Sequence, residues 1–158
     1  MHDIAPIGTI HSPFFSIEDM PIQPKGARGV EGYVLVDREC ANGLNDLEGF
    51  SHIYLLYHFH EAKRTELLVT PFMDTKQRGV FATRSPLRPN HIGISIVELK
   101  TIEDNKLIVD GIDVLDGTPL LDIKPYIEEF DGVEDSTSGW MQASEEDVSN
   151  KRSDDRFG

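Results

Sequence analysis

Cysteine is almost missing from this chain. Cys40 is the single one in 158 residues, which excludes an internal disulfide and, without a second thiolate, a cysteine-based zinc site. No apolar run approaches the roughly 18 residues a membrane span requires, and the opening MHDIAPIGTI lacks the basic and apolar regions of a secretory leader. The expectation is a cytoplasmic protein with no membrane partner. Long amphipathic helical patterns and internal repeats are also missing, which leaves strands in a sheet that must curl or close to bury itself. Basic charge is scarce as well: 15 Lys and Arg stand against 28 Asp and Glu, for a net charge of −13. Phosphate-binding surfaces are usually basic, so this balance argues at first against a nucleic-acid partner.

The distribution of that charge softens the objection. Residues 1–60 carry about −5, residues 61–100 about +3, residues 101–130 about −6 and residues 131–158 about −5. A single basic window in an acidic chain either binds RNA locally or reflects a salt-rich cytosol. The length and a hydrophobic content of 39% suit one globular domain over residues 1–130. From Asp131 onward the chain is polar, acidic and poor in branched apolar residues, so 131–158 is expected to be a mobile tail. Trp140-Met141 is the part of that tail able to dock.

Taken in order, Ile4 to Ser12 reads as a first strand closed by Pro13. The segment GARGVEG, residues 26–32, has the spacing G-x-x-G-x-x-G and leads into the strand Tyr33–Val36, not a helix; both features exclude a dinucleotide-binding fingerprint. Asn42 to Gly49 reads as one short helical turn. Ile53 to His60 is apolar on both faces, which predicts a strand covered on both sides. Alternation puts His52, His58 and His60 on one face. Two histidines two apart on a strand can reach one metal ion, yet no carboxylate and third histidine complete a ligand set, so no metal is expected. Leu67–Val69 is a short strand, and Ser95–Glu103 with Lys106–Val114 forms a hairpin turning near Asp104-Asn105.

Two stretches carry chemistry. GVFATRSPLRPNHIGIS, Gly79 to Ser95, begins as a strand, breaks at Pro86 and Pro89, and returns to a strand through Ile92-Gly93-Ile94. Arg84 and Arg88 sit on that stiff mount, where their guanidinium groups suit carboxylate, phosphate or a nucleobase, or pair with the chain's own acids. DVLDGTPLLDIKPY, Asp113 to Tyr126, sets three aspartates around a Gly-Thr-Pro turn. That turn is either an acidic binding rim or an ordinary turn capped by Asp116.

These pieces, with the Ile7-Gly8 strand, the Pro24 loop and Phe50-Ser51-His52 leading to Phe59-His60, resemble the TrmO family, also called YaeB-like or VirR-like proteins. The resemblance covers about residues 4–127. It implies an all-β pseudobarrel of mixed strands with few short helical turns. It also implies a homodimer that binds S-adenosylmethionine near its interface and methylates the exocyclic nitrogen of threonylcarbamoyl-adenosine beside the anticodon of tRNA. Carried over by position, it places Pro24, Lys25, Gly26, His60, Glu61, Arg84, Ile94, Asp113, Val114, Leu115 and Asp116 at the cofactor. Asp113 or Asp116 would serve the ammonium or ribose diol and Arg84 the carboxylate. Asp122 and Tyr126 are the candidates for catalysis at the acceptor, and Arg88, Asn90 and Lys124 for the substrate's phosphate or carboxylate. Two departures stand out. The family's usual Asn-Pro-Ile-Gly is Asn90-His91-Ile92-Gly93 here, implying a less rigid loop with a titrating group, and the extra C-terminal domain of some bacterial members is missing. The rival readings are methylation of a small molecule or another modified base, and a non-catalytic S-adenosylmethionine-binding module.

Overall fold

A computed structural model describes residues 2–20, 29–71 and 74–141. In chain order the strands are β1 (Gly8–His11), β2 (Glu31–Val36), β3 (His52–His58), β4 (Leu68–Val69), β5 (Arg78–Gly79), β6 (Ile92–Glu103), β7 (Lys106–Asp110) and β8 (Thr118–Pro125). Short 3-10 turns occupy Arg38–Leu44, Leu47–Gly49 and Val80–Ala82, and one α-helical turn, α1, spans Glu128–Asp131. Six strands close into a barrel in the order β1-β2-β7-β6-β3-β8, while β4 and β5 form a separate ladder. Every recorded pairing is antiparallel, where a mixed sheet was expected. Among the described residues no helix is long and apolar enough to cross a membrane.

Alternation does the folding. In β3 the residues Ile53, Leu55 and Tyr57 point inward, and in β6 Gly93, Ser95 and Val97 do. They meet Ile10, Val34, Leu107 and Leu120, all at 0% exposure, in one core; each such side chain contributes about 1.5–3 kcal/mol by leaving water. Gly93 has no alternative, since a Cβ there would run into the Tyr57 and Phe59 rings.

β1 starts at Gly8 rather than Ile4, because Pro6 has no N–H to extend the ladder. β3 ends at His58, leaving His60 in a turn, and its second face is only half-buried: a closed barrel has one inside, and the apolar Tyr54 and Leu56 face outward. The expected strand at Gly79 stops after that residue and coils into the Val80–Ala82 turn, where the Thr83 N–H reaches the Val80 carbonyl at 3.1 Å. β7 ends at Asp110, so Val114 belongs to the connection that follows.

The two ends of the barrel differ. One end carries the Asp104-Asn105 turn and the 3-10 turns of 38–49. At the other end β1, β3 and β7 finish and β2, β6 and β8 begin, so the connections 12–30, 59–91 and 111–117 leave from and return to that end.

Candidate active site

The connection 111–117 turns Ile112 and Val114 into the core and leaves Asp113 between them, half-buried. Ser95 Oγ donates to Asp113 Oδ1 at 2.6 Å, and the Tyr57 hydroxyl lies 2.8 Å from Ser95 Oγ. Because the Ser95 proton is committed to Asp113, Tyr57 is the donor in this chain. Burial pushes the Asp113 carboxyl up, against the opposing pull of the Ser95 donor and of the Arg84 guanidinium. Burial, reinforced by the charge of Asp113, also raises the Tyr57 phenol, which therefore stays a donor. Arg84 itself is exposed. A half-buried acid and an exposed guanidinium thus share one mouth of the barrel.

Asp116 is held differently. Its Oδ1 accepts the Ser12 N–H at 3.1 Å and lies 3.0 Å from His11 Nδ1, whose ring stacks on Tyr33 with centroids 4.7 Å apart. Gly117, at φ 85, makes the turn and donates its N–H to the Ile10 carbonyl. The local capping of its own turn that the sequence left open for Asp116 is not what is found: its carboxylate holds the Ser12 amide across the barrel instead. The Val114 carbonyl accepts from Ser12 Oγ at 2.6 Å and the Leu115 carbonyl from Thr118 Oγ1 at 2.6 Å. Val114's side chain is core, so its backbone is what it offers a ligand.

His60 and Glu61 follow β3, with Nε2 and Oε1 3.5 Å apart. In the proline loop Arg88 folds back and is half-buried: its Nη1 donates to the Thr83 carbonyl at 2.9 Å and the Ser85 carbonyl at 3.2 Å. Of the two arginines Arg84 is therefore the more exposed. His91 takes the left-handed φ of 52 and donates Nδ1–H to the Pro86 carbonyl at 2.8 Å. Proline cannot adopt that φ, and the ring contact staples the loop, so histidine here rigidifies the loop where loosening was expected. Asn90 is exposed at its tip.

The remaining residues occupy another surface. Ile94 and Asp122 both pair with Leu56, and Lys124 pairs with Tyr54, on the outer face of the wall whose inner face holds Ser95. Asp122 accepts the Ile123 N–H at 2.9 Å and lies 3.2 Å from Lys124 Nζ. Tyr126 packs edge-on to Tyr54 and donates to Glu128 Oε2 at 2.5 Å; that bond pushes its phenol up to about 12. The barrel wall separates Ile94, Asp122 and Lys124 from Asp113 within one subunit. Pro24, Lys25 and Gly26 lie outside the described residues, as does the tail beyond Met141. Among the described residues no group of three or more His, Cys, Asp or Glu is placed to hold a metal. A solvent-open depression of about 430 Å³, lined by Leu44, Asp46, Glu48 and Ile102, lies at the opposite end.

Sequence reasoning missed Ser95, Tyr57, His11 and Ser12. The available signal was polarity at inward positions: Ser95 and Tyr57 interrupt the apolar inner rows of β6 and β3, and a buried hydroxyl needs a partner.

The comparisons agree with this architecture. Residues 9–132 match the family model described as the tRNA-methyltransferase O N-terminal domain. A probable S-adenosyl-L-methionine-binding protein of Pyrococcus abyssi is 52% identical over 152 residues, which cover 96% of this chain and 83% of that one. The human tRNA (adenine(37)-N6)-methyltransferase is 34% identical over 80% of this chain and 30% of its own length. A crystal structure of TrmO from Pseudomonas aeruginosa superposes with a TM-score of 0.74 at 40% identity, covering 90% of this chain. This chain spans only 62% of that solved one. A match over most of the chain, supported by a common barrel, places it in a family: the chain belongs to the TrmO family.

Proposed function

We propose that this protein is an S-adenosylmethionine-dependent methyltransferase acting on the exocyclic nitrogen of threonylcarbamoyl-adenosine beside the anticodon of tRNA. The observation that carries the reading is the Asp113 carboxylate, fixed by Ser95 at the barrel mouth and within electrostatic reach of the exposed Arg84 guanidinium, in a chain of the TrmO family. It is supported by relatives named as S-adenosyl-L-methionine-binding proteins and as a tRNA adenine methyltransferase. A tRNA substrate also favours the cytoplasm as the place of action.

The donor set suits the cofactor. Its amino-acid end is zwitterionic, and a carboxylate held in place by Ser95 beside a guanidinium supplies both complements. When bound, S-adenosylmethionine supplies a methyl group on a sulfonium. Asp113 would bind the ammonium or the diol, Arg84 the carboxylate, and the Val114–Leu115 backbone would line the site. Pro24, Lys25, Gly26, His60, Glu61 and Asp116 complete the proposed wall. At the acceptor a nitrogen gains a methyl and loses a proton. Asp122 is the acid suited to accept that proton, while Tyr126, its phenol raised by Glu128, serves as a donor. Asn90, Lys124 and Arg88 are assigned to the substrate, Arg88 by shaping the loop.

Asp122 and Ile94 face away from Asp113, and a homodimer resolves this. The outer face of β6 exposes Ile92, Ile94 and Ile96 at 37%, 42% and 50%, beside Leu56 and Tyr54. A second copy seated on that apolar face brings its outer residues to the first copy's mouth. Mass spectrometry of nucleosides from threonylcarbamoylated tRNA incubated with protein and cofactor tests the reading. The expected result is one added methyl on that nucleoside. Cofactor binding without that product supports instead a binding module or a different acceptor, a second reading favoured by the names of the archaeal relatives.

A further inference from the structure

The 3-10 turn Val80–Ala82 holds one residue in and one out. Val80 is 1% exposed and Phe81 is 74% exposed. Phe15 and Phe130 are as open, at 76% each, but of these three Phe81 alone lies in the basic window 61–100. The turn is fixed on every side. The Val80 N–H donates to the Leu67 carbonyl at 2.9 Å, Thr83 Oγ1 donates back to the Val80 carbonyl at 2.8 Å, and Trp140 Nε1 donates to the Ala82 carbonyl at 2.8 Å. Arg78 lies over the Trp140 ring at 5.2 Å and is itself bonded to Asp74 at 2.9 Å. Trp140 lies beyond residue 132, where the family match ends. The segment expected to be a mobile tail therefore reaches back and braces the turn.

We infer that Val80–Ala82 is a platform for an unpaired nucleobase of RNA, with Phe81 as the stacking surface and Trp140 as the strut that fixes it. Single-stranded RNA is recognised by aromatic faces beside cations, because every base offers a π face and every linkage a phosphate. Phe81 stands three residues from the exposed Arg84, within the one positively charged quarter of a chain with net charge −13. That charge selects RNA over an apolar protein partner. A rigid mount keeps the entropy lost on stacking small. The inference rests on the RNA-directed reading above and adds to it the residue that would seat a base.

Fluorescence anisotropy with an unmodified anticodon stem-loop RNA tests it, with calorimetry of S-adenosylmethionine in parallel. Phe81→Ala is expected to weaken RNA binding about ten-fold or more, to leave cofactor affinity unchanged, and to remain folded because the ring is exposed. Phe81→Tyr is expected to restore binding. Trp140 is the only tryptophan in the chain, so RNA should also perturb intrinsic emission in the wild type and much less in Phe81→Ala. Equal RNA affinity of wild type and Phe81→Ala overturns the platform while leaving the methyltransferase reading intact. Loss of cofactor affinity instead assigns Phe81 to the cofactor's adenine, and a drop in oligomer mass assigns it to a second copy; either result overturns the inference. Wild-type protein that binds no RNA overturns both readings.

Discussion

At the end of the barrel where β6 turns into β7, the connection is two residues long and the backbone closes on itself: Asn105 bonds both ways with Val36, and Leu44 and Leu47 sink into the core. At the opposite end the same strands open into long connections, and a chain of hydroxyls from Tyr57 through Ser95 to Asp113 runs where apolar contacts would be expected. The first end uses its residues for closure. The second keeps a carboxyl partly desolvated beside a guanidinium, an arrangement that stabilises a fold poorly and suits a charged ligand well.

The sharpest way to break this contrast is to perturb each end and read both stability and binding. Leu107→Ala, fully buried just past the tight turn, should cost about 2–5 kcal/mol of stability by denaturant unfolding. Cofactor affinity of the folded fraction should not change. Asp113→Asn should do the reverse. It should weaken S-adenosylmethionine binding about ten-fold or more by calorimetry, while thermal stability without ligand holds or rises at neutral pH. The sign follows from linkage: a carboxyl raised in the folded state favours folding while protonated and loses that contribution as pH rises through its folded value. Unliganded wild type should therefore lose stability with rising pH through that window, and Asp113→Asn should lack that slope.

Ser95→Ala leaves both Tyr57 and Asp113 without a buried partner and should cost about 1–3 kcal/mol of stability together with cofactor affinity. Smaller still is Arg88→Ala, which releases the Thr83 and Ser85 carbonyls in a half-buried loop. A loss of about 1 kcal/mol in RNA binding is expected, with a weakened salt dependence. At the closed end, Arg38→Ala breaks an ion pair whose partners are 79% and 70% exposed, and no change in melting temperature is expected.

The barrel was legible in the sequence because alternating strands and missing helices leave few other ways to bury a core of this size. The acidic turn and the arginine loop were legible as motifs. Their internal economy was not. That Asp116 caps Ser12 across the barrel, that Arg88 folds onto its own loop, and that His91 staples Pro86 all depend on residues brought together from distant positions or on a local backbone turn that spacing does not reveal. The apolar outer face misled for a physical reason: Tyr54 and Leu56 look buried in sequence because the sheet face they occupy with Ile94 and Ile96 is apolar yet solvent-exposed. Trp140 was legible only as a residue able to dock, since its partner lies 58 positions away.

Titration calorimetry of S-adenosylmethionine into wild type and Asp113→Asn, at equal foldedness, tests the central claim most directly. Saturable binding to wild type and an affinity at least ten-fold lower in the variant are expected. Equal affinity in the two proteins would contradict it.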